Sequence, residues 1–419
     1  MRKIPTVPTV PTVPTVLTVL TVLTLLTACR GKPPVESPDG SSADTRLAAL
    51  VDSLRGPVEQ ATGLTFRAPP RSAVRSREQV RRYLVAKLDE ELPPERARGI
   101  ETAYRLFGMI PDSLDIRALM LDLLTEQIVG FYDPDSVMLF GVGNAPPAEL
   151  RVMAAHEMVH ALQGENLSLD SILDARGDND RTTAAQAILE GQAMVASIRA
   201  ITPGPDVLAQ PGVWEMFREQ ARNAQALMPR FARAPLVVRE GLLFPYIEGA
   251  EFMRWWSADA ERAKAPPYGP RMPVSTEQIL HPERYARGDR PAVITFGPDD
   301  GGQVLHEDAL GELEIRLMGA TLAERGTVSY QPPLGWAGDR YRVFAAPEGP
   351  ALVWYLAFDD APSAERFRAG IGKRMEAIRR PGYRVTLEAI PVGGREGVRF
   401  IIAPEGWSGW AAPPQVAVR

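Results

Sequence analysis

Cysteine and histidine are scarce in this 419-residue chain, which has one cysteine and four histidines. A single cysteine forms no disulfide within the chain, so stability must come from the hydrophobic core. The same scarcity excludes structural zinc sites built from several thiolates. Any metal site in this protein must therefore use histidine and carboxylate ligands.

Long hydrophobic runs and basic runs are also missing from most of the chain. Beyond the N-terminus no segment has 18 uncharged apolar residues, so we expect no later membrane-spanning helix. The net charge of −5, without a sustained basic run, argues against a nucleic-acid partner. The length and the 45% hydrophobic content are enough for two or three globular domains.

Two of the four histidines fall in one short motif, His156-Glu157-Met158-Val159-His160. Residues 148–162 contain neither glycine nor proline, and their pattern predicts a helix. On that helix the two imidazoles lie about 40° apart and can reach one ion, with Glu157 beside them. Two histidines with an intervening carboxylate favour a catalytic zinc site that has three protein ligands and an open position.

The third ligand must be a carboxylate or another histidine, and Glu190 is our candidate. Thr183 and Gln186 have the spacing of a capping box, which predicts a helix through Glu190. Gly191 lowers helix propensity, and we interpret it as a point of close packing where the motif helix crosses. The alternative is a tolerated surface glycine.

The motif followed by a glutamate on a later helix resembles the gluzincin class of zinc metallopeptidases. Flanking strings around Gly130–Pro134, Leu243–Tyr246 and Ser275–Pro282 are similar to those of bacterial metallopeptidases in the same order. A metzincin extension would place glycine at 163 and histidine at 166, where this chain has Gln163 and Asn166. In thermolysin-like enzymes asparagine precedes the ligand glutamate, whereas Leu189 stands there in this chain.

The resemblance implies one zinc ion per chain, held by His156, His160 and Glu190, with Glu157 as general base and not ligand. Zinc lowers the pKa of water, and Glu157 accepts the proton as water attacks a carbonyl group and then protonates the leaving amine.

An oxyanion in this reaction needs a further donor, and the candidates are His281, Tyr246 and Tyr285. His281 also has a structural interpretation, because Ser275 and Gln278 have capping-box spacing and His281 would end a short helix. The remaining histidine, His306, lies in a polar stretch and is predicted to be an exposed loop residue.

The N-terminus resembles the signal sequence of a bacterial lipoprotein. Arg2 and Lys3 precede an apolar stretch at 16–28, and Leu26-Thr27-Ala28-Cys29 is similar to a lipobox. The resemblance implies cleavage before Cys29, acylation of that residue and an exported protein anchored to a lipid bilayer of the bacterial envelope. An uncleaved membrane span is the alternative, although prolines interrupt its first half.

The remaining pattern predicts an α+β chain in four parts: a signal peptide (1–28), a tether (29–45), a metallopeptidase domain (46–288) and a C-terminal domain (289–419). The third part is predicted to be mainly helical. The resemblance implies that it is zincin-like, with a small sheet beside the motif helix whose edge strand can pair with an extended peptide. The fourth part is predicted to be α+β. Its Gly335–Tyr341 stretch, with Trp336, Asp339 and Arg340, is either a site or a turn with a buried tryptophan.

The predicted helices before residue 130 span 45–62, 76–92, 94–107 and 114–127, and a hairpin follows at 128–132 and 137–142. Helical pieces at 213–256 are expected to break at Pro229, Pro235 and Pro245. After residue 290 we predict strands at 293–296, 341–345, 352–358, 385–389 and 398–402. Helices are predicted at 309–324 and 363–379.

These observations favour a membrane-anchored zinc metallopeptidase that acts on peptides or proteins. One alternative is a catalytically silent lipoprotein that keeps the fold for binding or scaffolding, and the intact Glu157 argues against it. A zinc hydrolase of a non-peptide bond would share the same ligands.

Overall fold

The computed structural model describes residues 42–143, 145–169, 172, 177–202, 204–297 and 302–419. The chain is mixed α+β, as predicted. The signal peptide, Cys29 and nearly all of the predicted tether lie outside the described residues. Within the described ranges, no helix combines the length and the apolar character needed to cross a membrane.

The region before residue 290 is mainly helical. The four helices predicted between residues 45 and 127 are confirmed with ends shifted by three residues or fewer. The helices of this region are α1 (Ser42–Thr62), α2 (Arg77–Glu91), α3 (Pro94–Leu106), α4 (Ile116–Gln127), α5 (Pro147–Asn166), α6 (Asn179–Ile201), α7 (Val213–Ala226), α8 (Pro229–Arg233), α9 (Leu236–Ser257), α10 (Thr276–Leu280) and α11 (Pro282–Arg287).

Helix α9 departs from the prediction at Pro245. We expected this proline to break the helix, but α9 continues through it and is 22 residues long in total. Leu243, Phe244, Tyr246 and Ile247 are all buried around it, so tertiary packing outweighs the cost of the missing backbone hydrogen bond.

A three-stranded sheet lies beside α5 and consists of β1 (Arg71–Arg75), β2 (Gly130–Asp133) and β3 (Met138–Val142). The predicted hairpin is confirmed, because β2 pairs antiparallel with β3. Strand β1 pairs parallel with the other side of β3 and was not predicted, since its sequence has no apolar run. The order β1-β3-β2 leaves β2 at an edge of the sheet.

The C-terminal region is built on a five-stranded antiparallel sheet of order β5-β6-β7-β9-β8, and a separate pair joins β4 to β10. The predicted strands after residue 290 and both predicted helices are present, whereas β5 and β10 were not predicted. The elements are β4 (Ile294–Phe296), β5 (Val304–Asp308), α12 (Gly311–Leu322), β6 (Trp336–Phe344), β7 (Ala351–Phe358), α13 (Ala361–Gly372), β8 (Tyr383–Ala389), β9 (Glu396–Pro404) and β10 (Val416–Val418).

The two regions share one hydrophobic core across the predicted boundary at residue 288. Phe107, just after α3, packs edge-on against Tyr341 of β6 and Trp354 of β7, with ring centroids 5.3 and 5.1 Å apart. The boundary therefore separates two differently built regions that are packed together.

The Gly335–Tyr341 stretch is held by its buried aspartate. Asp339 accepts hydrogen bonds from the indole nitrogens of Trp336 and Trp354 and from the backbone nitrogens of Leu310 and Gly311 at the start of α12. These contacts support the structural interpretation of this stretch, with a buried Trp336.

Candidate metal centre

Helix α5 places His156 and His160 one turn apart on a single face, as the spacing predicts. The helix is continuously buried from Met153 to Gln163, packed against α1, α6 and the small sheet. His156 is 6% exposed and His160 is 1% exposed. The two histidines are therefore directed into the protein interior, where an unpaired polar group is costly.

Glu190 comes from α6, which begins five residues before the position that we predicted. The side chain of Asp178 caps this helix by accepting a hydrogen bond from the backbone nitrogen of Arg181, at 3.1 Å. Thr183 and Gln186 therefore lie inside the helix and do not cap it. Glu190 is 1% exposed.

Gly191 marks a close helix crossing, as expected, but its partner is α9 and not the motif helix. A Cβ atom at Gly191 would lie 2.2 Å from the carbonyl oxygen of Gly249, and one at Gly249 would lie 2.0 Å from the carbonyl oxygen of Ala187. The two backbones can approach this closely only because both positions are glycine. The crossing fixes α9 beside the helix that carries Glu190.

The three predicted ligands meet at one point. The Nε2 atoms of His156 and His160 are 3.1 Å apart, and they lie 3.1 and 3.4 Å from Oε2 of Glu190. In a tetrahedral zinc site with bonds of about 2.0–2.1 Å, neighbouring ligand atoms are about 3.3 Å apart. The three atoms thus have the spacing of one face of such a tetrahedron, and this group can hold a metal ion.

Gln163 orients His160 and was not predicted as a site residue. Its side-chain oxygen accepts a hydrogen bond from Nδ1 of His160 at 2.8 Å, which leaves the Nε2 lone pair directed into the group. Its amide nitrogen donates to the carbonyl oxygen of Leu189 and the side chain of Gln192, both at 2.9 Å. The signal was present, since Gln163 follows His160 by three residues on the same helix face.

The buried carboxylate determines the charge of this group. Burial alone would raise the pKa of Glu190, but the adjacent His160 and His156 lower it to about 2. Burial alone would lower the pKa of His160, but Glu190 raises it to about 9. Oε1 of Glu190 is buried and has no hydrogen-bond partner among the described residues. The site therefore stabilises positive charge between the imidazoles, and a metal cation meets the same requirement.

Glu157 lies beside the three ligands without joining them. It is 1% exposed, and its Oε2 accepts a hydrogen bond from the backbone nitrogen of Tyr132 in β2 at 2.9 Å. Burial raises the pKa of Glu157 above its ordinary value, against the opposing effect of the two histidines. A carboxyl group with a raised pKa is suited to proton transfer near neutral pH.

Among the three candidate oxyanion donors, Tyr246 contacts a predicted metal ligand. Its ring stacks on that of His156, with centroids 6.0 Å apart. The hydroxyl group of Tyr285 donates to the carbonyl oxygen of Arg271 at 2.8 Å. His281 ends α10 as its structural interpretation predicted, and its Nε2 contacts Glu312 of α12 at 3.0 Å.

The prediction that His306 is an exposed loop residue is wrong. His306 belongs to β5, and its ring lies against Gly99 of α3 and 5.8 Å from the ring of Tyr341. Burial lowers the pKa of His306 to about 4. The polar residues around it misled the prediction, because His306 becomes partly buried only where β5 pairs with β6 and packs against α3.

Comparison with known proteins identifies a family match in the C-terminal region. Residues 302–400 match a protein family that is described as a domain of unknown function (DUF8575). The match covers most of the C-terminal sheet and does not include the candidate metal centre. No curated protein and no solved structure matches the chain.

Proposed function

We propose that this protein is a zinc metallopeptidase with a zincin-like catalytic region, anchored to a membrane of the bacterial envelope. The observation that carries the proposal is the buried triangle of His156, His160 and Glu190, with edges of 3.1, 3.1 and 3.4 Å. Three ligands from two helices, with Glu157 excluded from the set, match the composition of catalytic zinc sites.

A zinc ion held by these ligands supplies a Lewis acid that lowers the pKa of water and polarises a carbonyl group. Glu157 accepts the proton from the attacking water and donates it to the leaving amine. The Tyr132 N–H group holds Oε2 of Glu157 in place during both transfers. The phenol of Tyr246 is the candidate donor to the oxyanion, because its ring packs on His156.

The edge strand β2 supports a peptide as substrate. The backbone N–H group of Tyr132 donates its hydrogen bond to Glu157 and not to β3. The outer edge of β2 therefore faces the proposed base. An extended peptide that pairs with a strand edge gains main-chain hydrogen bonds irrespective of its side chains. All four residues of β2 are buried, so this pairing would require the edge of β2 to open. Among the ligands His156 has the highest exposure, and we place substrate entry on its side.

The anchor is proposed on the sequence alone. Acylation at Cys29 would attach the chain to the bilayer, and the segment between Cys29 and the start of α1 at Ser42 would separate the catalytic region from the surface. A silent binding lipoprotein and a hydrolase of a non-peptide bond remain the alternatives, because both would use the same buried ligands.

Hydrolysis of a quenched fluorescent peptide library by the full-length chain tests the proposal. We expect Glu157→Gln to retain zinc and to lower the rate by about 100-fold or more, because the proton acceptor is removed. Glu149→Gln, at the start of the same helix, is the matched control and should keep wild-type activity. Zinc binding without cleavage of any library peptide would instead support a silent or non-peptide function.

A further inference from the structure

An open cleft of about 600 Å³ lies where the helical region meets the C-terminal region. One wall is the segment after α3, from Arg105 to Asp112, and a second is formed by the end of α8 and the start of α9. The third wall is contributed by Thr321 of α12 and by the segment 377–380 after α13. The volume lies within the range of small-molecule sites.

The lining of this cleft is strongly basic. Four arginines and one aspartate line it, an excess of three positive charges on a chain whose net charge is −5. Residues Arg105, Arg233, Arg379 and Arg380 define what we call the arginine cleft. Between them the lining is apolar, and Met109, Leu236 and Ile378 are buried.

Two of the arginines are fixed by the fold. Arg380 donates to the carbonyl oxygen of Arg105 at 2.6 Å and to the carboxylate of Asp112 at 2.9 Å. Arg105 pairs with Glu101 at 3.1 Å, yet its Nε is buried and has no acceptor in the described part of the chain. These two side chains form a rigid positive wall.

The other two arginines have little to neutralise them. Arg233 has no ion pair or hydrogen bond within the ranges that the structure describes. In the described part of the chain Arg379 pairs with Glu376 alone, and both side chains are more than two-thirds exposed, so water and salt screen that contact. Both guanidinium groups are therefore available to a ligand.

We propose that the arginine cleft binds a phosphate-bearing anion. Guanidinium groups match phosphate oxygens through paired N–H donors, and Arg233 and Arg379, which no buried carboxylate neutralises among the described residues, supply two positive charges to an anionic ligand. The apolar lining between the arginines accommodates an organic body attached to the phosphate. The site is separate from the candidate metal centre and does not depend on the proposed hydrolysis.

The same chemistry is offered by a soluble phosphate compound and by the headgroup of an anionic phospholipid. Calorimetric titration of the full-length chain with inorganic pyrophosphate tests the first source. Titration with mixed micelles containing phosphatidylglycerol, against micelles containing phosphatidylcholine, tests the second.

Arg233→Ala combined with Arg379→Ala should weaken binding at least tenfold, because both uncompensated guanidinium groups are removed. The matched control is Arg81→Ala with Arg82→Ala on α2, since Arg82 also forms an exposed ion pair and neither residue lines the cleft. The control should bind within twofold of the wild type. Zinc content should be unchanged in both double variants.

Saturable binding of pyrophosphate that the cleft variant loses would support a soluble ligand, and the same loss seen only with phosphatidylglycerol would support a lipid headgroup. Absence of binding in both titrations would overturn the proposal. Equal weakening in the cleft variant and in the control would also overturn it, because binding would then follow net charge alone.

Discussion

Two buried clusters in this molecule combine histidine with glutamate, and they differ in how the carboxylate is neutralised. In the candidate metal centre Glu190 contacts the imidazoles of His156 and His160, and its Oε1 has no partner among the described residues. In the second cluster Oε1 of Glu312 meets Nε2 of His281 at 3.0 Å and Nε of Arg316 at 2.7 Å.

The difference lies in the presence of a permanent cation. Burial would raise the pKa of Glu312, but the bond to His281 and the charge of Arg316 hold it below its ordinary value. The Arg316 guanidinium neutralises that carboxylate at any physiological pH. No arginine or lysine pairs with Glu190 among the described residues, so its counter-charge would be a protonated imidazole or a metal ion, which this group can hold.

A third buried carboxyl group, that of Glu314, avoids an unpaired buried charge in another way. Glu314 accepts hydrogen bonds from the hydroxyl group of Tyr104 at 2.6 Å and from the side chain of Asn179 at 2.7 Å, and both partners are neutral. Burial raises the pKa of Glu314 to about 8. A raised pKa lets this carboxyl group stay buried in its protonated form, and no cation contacts it among the described residues.

Among the substitutions that distinguish the two histidine clusters, we expect Glu312→Ala to have the largest effect. This change leaves Arg316 and His281 without their buried counter-charge, which should lower the free energy of unfolding by about 3–5 kcal/mol. Zinc content of the folded fraction should stay at the wild-type value. Urea denaturation and elemental analysis of the same sample measure both quantities.

Glu283→Ala is the control for that variant. Glu283 lies 4.0 Å from Nδ1 of His281 but is 57% exposed, so its removal should change stability by less than about 1 kcal/mol. Loss of zinc from folded Glu312→Ala protein would show that the two clusters are not independent.

A smaller effect is expected at Gln163. Gln163→Leu removes the acceptor that orients His160, and zinc affinity should fall by about 10–100-fold. Gln163→Glu keeps an acceptor for Nδ1 and should lose less affinity than the leucine variant. Competition with a fluorescent chelator measures both, and equal affinity in the leucine variant and the wild type would contradict a positioning role.

We also expect a pH dependence of stability that originates at Glu314. The folded-state pKa of about 8 exceeds the ordinary value, so the folded protein holds a proton that the unfolded chain loses. This contribution is complete at low pH and declines as pH rises to about 8, by at most about 1.4 kcal/mol per unit.

Denaturation at pH 5, 6, 7 and 8 should show a shallower decline for Glu314→Gln than for the wild type. Glu365→Gln, at an exposed position on α13, is the control and should keep the wild-type slope. An unchanged slope in Glu314→Gln would mean that this carboxyl group is ionised in the folded protein.

Local signals made part of the site predictable from the sequence. The spacing of His156 and His160 fixes their common helix face, and the helix through Glu190 was predicted from the spacing of Thr183 and Gln186, which lie inside that helix. The contacts that determine the roles of other predicted residues join positions that are distant in the sequence. His281 meets Glu312 31 residues later, and Gly191 meets Gly249 through the crossing of two helices.

The fold shows the same limit. Helices with strong periodicity were predicted almost to their ends, whereas β1 and β5 acquire their structure by pairing with distant strands. Pro245 was expected to end a helix, but burial on several sides keeps α9 continuous. Secondary structure that depends on tertiary contacts is therefore what the sequence pattern failed to predict.

Zinc stoichiometry of the full-length chain, measured by elemental analysis, tests the central claim most directly. The account predicts one zinc per wild-type chain, one per Glu157→Gln chain and much less in Glu190→Ala. The reason is that Glu190, unlike Glu157, is one of the three predicted ligands. Folded wild-type protein without zinc, or a Glu190→Ala variant that binds it as tightly as the wild type, would contradict the account.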